Sequence, residues 1–353
     1  MKNITYLFGA GASLGALPIA AELGADMYTI IDAFEGYDRE KVLGSNLSSI
    51  NPFVKGTMEY LAYDLRFFGF QAMQFGTLDG YAAKLYHIKD FRQLHRLKMT
   101  LSIYLVICQE MSRSQLGGNI QRKITKIDSR YIKLIKSCLD MEKTNYIKDN
   151  IHFLTWNYDL QLQQTLMTYF EGMEDIETFN RGPYKFTPSQ IEFPVVTAKS
   201  KICHINGFCG FYLTESQNYV SYLDRSKTSS ISEKVKSMSY ISDSASKGSI
   251  NFNSAINFAW ENNAYSTYAV SRAQEIMGIT DTLIVIGYSF PDDNIEIDRK
   301  LFSSAKIAGN LNRIIIQNPG LNEAVISEKL NIEKSRFEVR KDVDEFLSPK
   351  IIQ

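Results

Sequence analysis

The sequence predicts an α/β fold: a mostly parallel sheet with helices on both faces and a large helical insertion. Three observations carry this. Short apolar runs end in glycine or polar loops, stretches with apolar residues at three-to-four spacing separate them, and the first run passes straight into a glycine turn and a helix. Short buried strands joined by helical connections imply a parallel sheet covered on both sides, with ligands at the carboxyl ends of the strands.

Ile4 to Phe8 reads as the first strand, closed by Gly9-Ala10-Gly11 and followed by apolar positions from Leu17 to Tyr28 that suit a helix against a sheet. Helical spacing then dominates Phe53 to Phe70, Leu78 to Tyr86, Phe91 to Met111 and Ile127 to Met141. Strand signals resume at Ile151 to Trp156, Lys201 to Ile205, Thr282 to Gly287 and Arg313 to Gln317. The chain, 1–353, thus reads as one Rossmann-like domain with a helical insertion at 35–150. Residues 214–250 read as a serine-rich mobile loop, because Ser221 to Ser249 holds eleven serines in 29 residues with little apolar periodicity.

Composition narrows the function. At 353 residues and 44% hydrophobic, the chain can bury a large core, and Lys plus Arg equals Asp plus Glu at 39 each, so no overall field draws it to nucleic acid or an anionic membrane. No run of about 18 uncharged apolar residues predicts a membrane span, and the first residues, with no long h-region and no small-residue cleavage site, predict no signal peptide. Cys108, Cys138, Cys203 and Cys209 form no C-x-x-C pair, which predicts a reducing, cytoplasmic setting and no metal.

Four strand ends carry candidate chemistry. In Gly9-Ala10-Gly11-Ala12-Ser13-Leu14-Gly15, glycines let backbone N–H groups approach a pyrophosphate at a helix N-terminus; a ligand-free strand-to-helix turn has the same composition. The dehydrogenase fingerprint needs its third glycine where this chain has Leu14, and Asp32 lacks a strand leading to it, so hydride transfer is a runner-up. Asn157 and Asp159, after the Ile151 strand, suit the holding of a ribose, a carboxamide and a water, and equally suit helix capping. His204, in Cys203-His204-Ile205-Asn206-Gly207, has the chemistry of a general base or of a core histidine; His87, His95 and His152 take the structural reading. Gly287-Tyr288-Ser289, followed by Pro291-Asp292, suits close approach to a phosphate or ribose, or a plain turn.

Taken in order, these motifs resemble the sirtuin family. Gly9 to Ser13 is similar to its GAG-x-S phosphate loop, with Pro18 as the following proline; Asn157 and Asp159 match its asparagine and aspartate one residue apart. His204 to Gly207 resembles its His-Gly element with Ile205 and Asn206 inserted, and Gly287-Tyr288-Ser289 its G-T-S turn with Tyr for Thr. Ile314 to Asn318 resembles its late strand, and Lys341-Asp342-Val343-Asp344 its adenine-side acidic loop. The paired C-x-x-C zinc module of the deacylating members has no counterpart here, nor has their acyl-lysine groove. That arrangement resembles bacterial antiviral sirtuin-like effectors that deplete NAD.

The resemblance implies an NAD hydrolase that cleaves the nicotinamide–ribose bond, with a protein deacylase and a non-catalytic NAD or ADP-ribose sensor as alternatives. It implies that Asn157 positions water and ribose, that Asp159 orients the neighbouring network, and that His204 contacts ribose hydroxyls and acts as base. Gly9, Ala10, Gly11, Ser13, Gly287 and Ser289 would hold the pyrophosphate side, with Asn318, Asp342 and Val343 toward adenosine. By analogy, a homo-oligomer is expected, with a HerA-type translocase or a short Argonaute as possible partners. Lys84 to Lys148 carries fourteen Lys or Arg against five Asp or Glu; this is read as a docking surface or, more plainly, a solvated helix face.

Overall fold

The structure is a computed structural model, and it describes residues 2–36, 52–110, 127–143, 146–172, 186–187, 201–213, 219–221 and 253–351. In chain order the strands are β1 Ile4–Phe8, β2 Ile151–Thr155, β3 Phe186–Thr187, β4 Ile202–His204, β5 Gly207–Leu213, β6 Tyr219–Ser221, β7 Asn253–Ile256, β8 Thr282–Ile286, β9 Arg313–Gln317 and β10 Phe337–Arg340. The helices are α1 Ala20–Gly36, α2 Pro52–Gln74, α3 Leu78–His87, α4 Phe91–Glu110, α5 Ser129–Cys138, α6 Gln161–Met167, α7 Ala264–Gly278, α8 Ile295–Ala308 and α9 Glu323–Leu330. They fall into two compact units, one of Met1–Leu14, Ile127–Gly207 and Asn257–Gln353, the other of Gly15–Lys126 and Phe208–Ile256.

The first unit is built on a seven-stranded sheet of order β10-β9-β8-β1-β2-β4-β3, parallel at every ladder. Every residue of β1, β2 and β8 is buried, as central strands covered on both faces require. On one face Leu7, Leu154, Cys203, Leu283, Val285, Ile314 and Ile316 pack with residues of α7, α8 and α9, among them Ala273, Met277, Phe302 and Leu330. Side chains alternate along a strand, so Tyr6, Phe8 and Phe153 point the other way. There they stack at centroid separations of 5.8–6.2 Å, with Tyr131 of α5 and Phe346 against Phe8.

Reading β4, β2, β1, β8, β9 and β10 across the sheet gives the doubly wound order 3-2-1-4-5-6, with β3 added outside β4. The chain winds from β1 to one side, then returns to β8 and winds to the other. The switch point therefore lies between β1 and β8, where connections leave in opposite directions and open a crevice at the carboxyl ends.

In the second unit, α1 and α2 approach closely enough that a Cβ on Gly69 would stand 2.7 Å from the Gly24 carbonyl oxygen. The small sheet β6-β5-β7 belongs here, and Ser102 of α4 accepts the Gly210 N–H of β5 at 2.9 Å. Strand β6 lies within the stretch 214–250 read from sequence as a loop; the rest of that stretch lies outside the described residues. Arg122, Lys123 and Lys126 of the basic run also lie outside them, whereas Arg130 and Lys133 belong to the first unit, on α5.

Candidate functional site

The two strand ends at the switch point are fastened together by backbone. Gly9 N–H donates to Ile286 O and Gly11 N–H to Gly287 O, each at 2.9 Å, while Ala12 N–H closes the short 3-10 turn Ala10–Ser13 on Gly9 O at 2.9 Å. The sequence reading expects these glycine N–H groups to face a pyrophosphate. Those of Gly9 and Gly11 are instead committed to β8, and of the two glycines and the alanine between them only Ala10 is exposed. The glycines serve approach of chain to chain. A Cβ on Gly9 would lie 2.6 Å from Tyr288 Cα, and one on Gly287, whose φ is +62°, would collide with Gly11 C and Ala12 N. Ser289 is exposed at the tip of the turn, and buried Phe290 follows at φ 54°, a left-handed conformation that a bulky residue holds only under tight packing.

On the other side of β1, side chains make the junction. Asn157 Nδ2 donates to Gly9 O at 3.0 Å and to Ser13 Oγ at 3.3 Å; Ser13 Oγ donates to Asp159 Oδ2 at 2.8 Å. Asp159 Oδ1 accepts the N–H of Gln161, the first residue of α6, at 3.0 Å. One carboxylate thus meets both the Ser13 hydroxyl of the glycine turn and the backbone at the start of α6. Ser13, Asn157 and Asp159 are all buried, and burial pushes the Asp159 carboxyl up to about 6, although the bonds from Gln161, Ser13 and Asn157 favour its charge.

His204 ends β4 directly opposite Thr155 in the register and is 1% exposed. Its Nδ1 lies 3.0 Å from the Asn157 carbonyl oxygen and its Nε2 2.6 Å from Nε2 of Gln163, which is fully buried on α6. Burial lowers its pKa to about 4, so the ring is neutral near pH 7. Both ring nitrogens therefore engage the protein, a different placement from the substrate-facing base expected from sequence.

The last two strand ends join the same edge. Asn318, after β9, donates from Nδ2 to Tyr288 O at 3.0 Å. Val343, after β10, accepts from Arg130 Nη1 at 3.2 Å; Asp342 is exposed, and its carbonyl accepts from Gln317 Nε2 at 3.1 Å. Tyr288 stacks on Trp156 at 5.8 Å and 15°, and donates its hydroxyl proton to buried Asp298 at 2.8 Å.

Arg130 is the residue that sequence reasoning misplaced. Its Nη2 donates to Gly11 O at 3.1 Å and Ala12 O at 3.2 Å, its Nε and Nη2 clasp Asp128, and the guanidinium lies 4.7 Å from the Phe346 ring centroid. One side chain thus ties the glycine turn to the loop after β10, the use for which a rigid fork of donors suits arginine. Counted with its neighbours, it looks like surface charge. The available clue is Asp128, which caps α5 by accepting the Arg130 N–H at 3.0 Å and offers the same carboxylate to that residue's side chain.

No known family profile matches the chain, and no curated protein matches it. Among solved structures it is similar to a Sir2 homologue in complex with NAD, at 12% identity over 96% of this chain and 83% of the other, with a TM-score of 0.39. It is also similar to a Sir2 in complex with the inhibitor EX-527, 2'-O-acetyl-ADP-ribose and a deacetylated p53 peptide, at 11% identity over 90% and 82% of the two chains, with a TM-score of 0.31. Among the described residues, no group of three or more His, Cys, Asp or Glu side chains is placed to hold a metal ion, and no helix is long and apolar enough to cross a membrane.

Proposed function

We propose that the chain is an NAD glycohydrolase, cleaving NAD to nicotinamide and ADP-ribose, and that NAD depletion in a bacterial antiviral defence system is its role. The observation that supports this best is the edge itself. Six parallel strands in dinucleotide-binding order bring Gly9–Ser13, Asn157–Asp159, His204, Gly287–Ser289, Asn318 and Asp342–Val343 to their carboxyl ends, and a buried amide, hydroxyl and carboxyl meet beside the switch point.

The reaction breaks the bond from the nicotinamide nitrogen to the anomeric carbon, both electrons leaving with neutral nicotinamide. Water then adds its oxygen to that carbon and releases a proton. The transition state carries positive charge on the sugar, so the protein must stabilise charge and place water more than supply acid. Asn157 is suited to this. Its Nδ2 is anchored on Gly9 and Ser13, which leaves Oδ1 to accept from a water or a ribose hydroxyl. Asp159, through Ser13, holds that amide in place. His204, neutral and bonded to the Asn157 carbonyl, fixes the backbone from behind.

Incubating the purified chain with NAD and quantifying nicotinamide and ADP-ribose tests the reading. Equimolar release of the two is expected. NAD binding without nicotinamide release would instead mark a sensor, and a change in nicotinamide redox state a dehydrogenase.

A further inference from the structure

The turn after β8 departs at Tyr288 from the G-T-S pattern it resembles, and the ring that stands there reaches across the sheet. Strands β8 and β2 are both neighbours of β1, so their ends lie two strand spacings apart, about 9.5 Å. Tyr288 from one side and Trp156 from the other close that gap at the end of β1, both rings buried and stacked at 5.8 Å and 15°. Gly9 leaves the space: a Cβ there would stand 2.7 Å from Tyr288 Cβ and Cδ2. The main chain fixes Trp156 to β1, its N–H donating to Phe8 O at 3.0 Å, and the indole ring is the part that meets the β8 turn.

The pair ends on Asp298 of α8, which has no exposed surface. Its Oδ2 accepts the Tyr288 hydroxyl proton at 2.8 Å, and that hydroxyl accepts from Asn294 Nδ2 at 3.1 Å, so donation runs one way, from Asn294 through Tyr288 to Asp298. The Trp156 indole N–H acts on the same carboxyl, although neither it nor Oδ1 completes a hydrogen bond. Burial pushes the Asp298 carboxyl up to about 7, against the Tyr288 hydroxyl, the Trp156 indole N–H and the Lys329 ammonium, which favour its charge. A group this costly to bury thus stands where the rings of two strand ends both call for an acceptor. The ligand side of the turn is pinned at two carbonyls, Tyr288 O by Asn318 Nδ2 at 3.0 Å and Phe290 O by Lys329 Nζ at 3.1 Å, with Ser289 exposed between them.

We propose that Asp298 is a positioning residue: through the Tyr288 hydroxyl it sets the Tyr288–Trp156 stack, and the stack holds the amide of Asn157 and the ligand turn at Ser289 in fixed relation across β1. Trp156 directly precedes Asn157 and Tyr288 directly precedes Ser289, so a tilt of the paired rings moves both. A shift of about 1 Å at a reacting centre is enough to cost about 10²-fold in rate.

The proposal rests on Asn157 as the catalytic amide, and its test includes a readout that needs no NAD. Tyr288→Phe keeps the ring and removes the hydroxyl; Asp298→Ala keeps the hydroxyl and removes its acceptor. Each should lower nicotinamide release about 10–10²-fold at saturating NAD, and the double variant should fall no further than the worse single one, because both break the same link. Each should also move the side-chain amide NMR signals of Asn157, assigned by their loss in Asn157→Ala, in a protein that still melts cooperatively. Turnover equal to that of an active wild type, unmoved Asn157 signals, losses that multiply in the double variant, or failure of both single variants to fold would each overturn the proposal; where one single variant fails to fold, the other decides. If the Asn157 signals move while the wild type releases no nicotinamide, the bridge stands and the hydrolase reading fails. If the wild type releases nicotinamide and both single variants match it, the hydrolase reading stands and the bridge fails.

Discussion

The two flanks of β1 hold the same glycine turn by opposite means. Toward β8 the junction is main chain on main chain: Gly9 and Gly11 donate to Ile286 and Gly287, and shape, enforced by absent side chains, does the work. Toward β2 it is made by side chains, Asn157 on the Gly9 carbonyl and on Ser13, and Ser13 on Asp159, all buried and all polar. A flank made of backbone tolerates no added atom; a flank made of side chains tolerates substitution sterically and loses chemistry. The first should respond to mutation in stability, the second in turnover.

Gly287→Ala sharpens this contrast most. A methyl at φ +62° set against Gly11 and Ala12 combines left-handed strain with overpacking, each worth about 1–3 kcal/mol, so denaturant melts should show a loss of several kcal/mol. A variant as stable as wild type would mean that the absence of side chains is not what holds the β8 flank together.

Asn157→Ala, on the chemical side, should lower nicotinamide release about 10²–10³-fold at saturating NAD, the cost of losing one aligned polar group at a charged transition state, while the melting temperature moves far less than in Gly287→Ala. Turnover within a few-fold of wild type would remove Asn157 from the centre of the site.

Asp159→Asn gives the smallest effect and the most specific one. A carboxyl raised to about 6 in the folded chain, from about 4 when unfolded, binds its proton more tightly folded. Its contribution to stability is therefore full below about pH 4 and is lost as pH rises through about 6, amounting to ~2–3 kcal/mol at most. His204, lowered to about 4, works oppositely, losing stability as pH falls from about 6.5 through about 4. The asparagine variant should thus gain melting temperature relative to wild type between about pH 4 and pH 6; a constant difference across that range would mean that Asp159 is not the buried acid described here.

What the sequence made legible follows burial and locality. Ile4–Phe8 and Arg313–Gln317 stand where the apolar pattern puts them, because a parallel strand covered on both faces is written as one continuous apolar run. The edge strand Phe337–Arg340, half-buried throughout and carrying Glu338 and Arg340, has no such signature, and the two-residue β3 is too short for one. Within the site, Asn157 and Asp159 are readable because they sit together directly after a strand. Arg130 is not, because its partner Gly11 is 119 positions away and it stands in a stretch where Lys126, Lys133 and Lys136 make it one cation among several. Gln163 is one of three glutamines in four residues, and nothing in that run says which of them meets the histidine.

The position of β1 at the centre of the sheet has a cost in time. ITYLF leaves the ribosome before both of its neighbours in the sheet, β2 and β8, which start at Ile151 and Thr282. Asn3 waits for Asp281 across 278 positions, which at about 5–20 residues per second is roughly 14–56 s of synthesis. Until then one edge of a five-residue strand destined for full burial stays without its neighbour, even after β2 has been made. That bare edge is open to any passing strand, so the nascent chain is exposed to aggregation through the whole interval before β8 emerges.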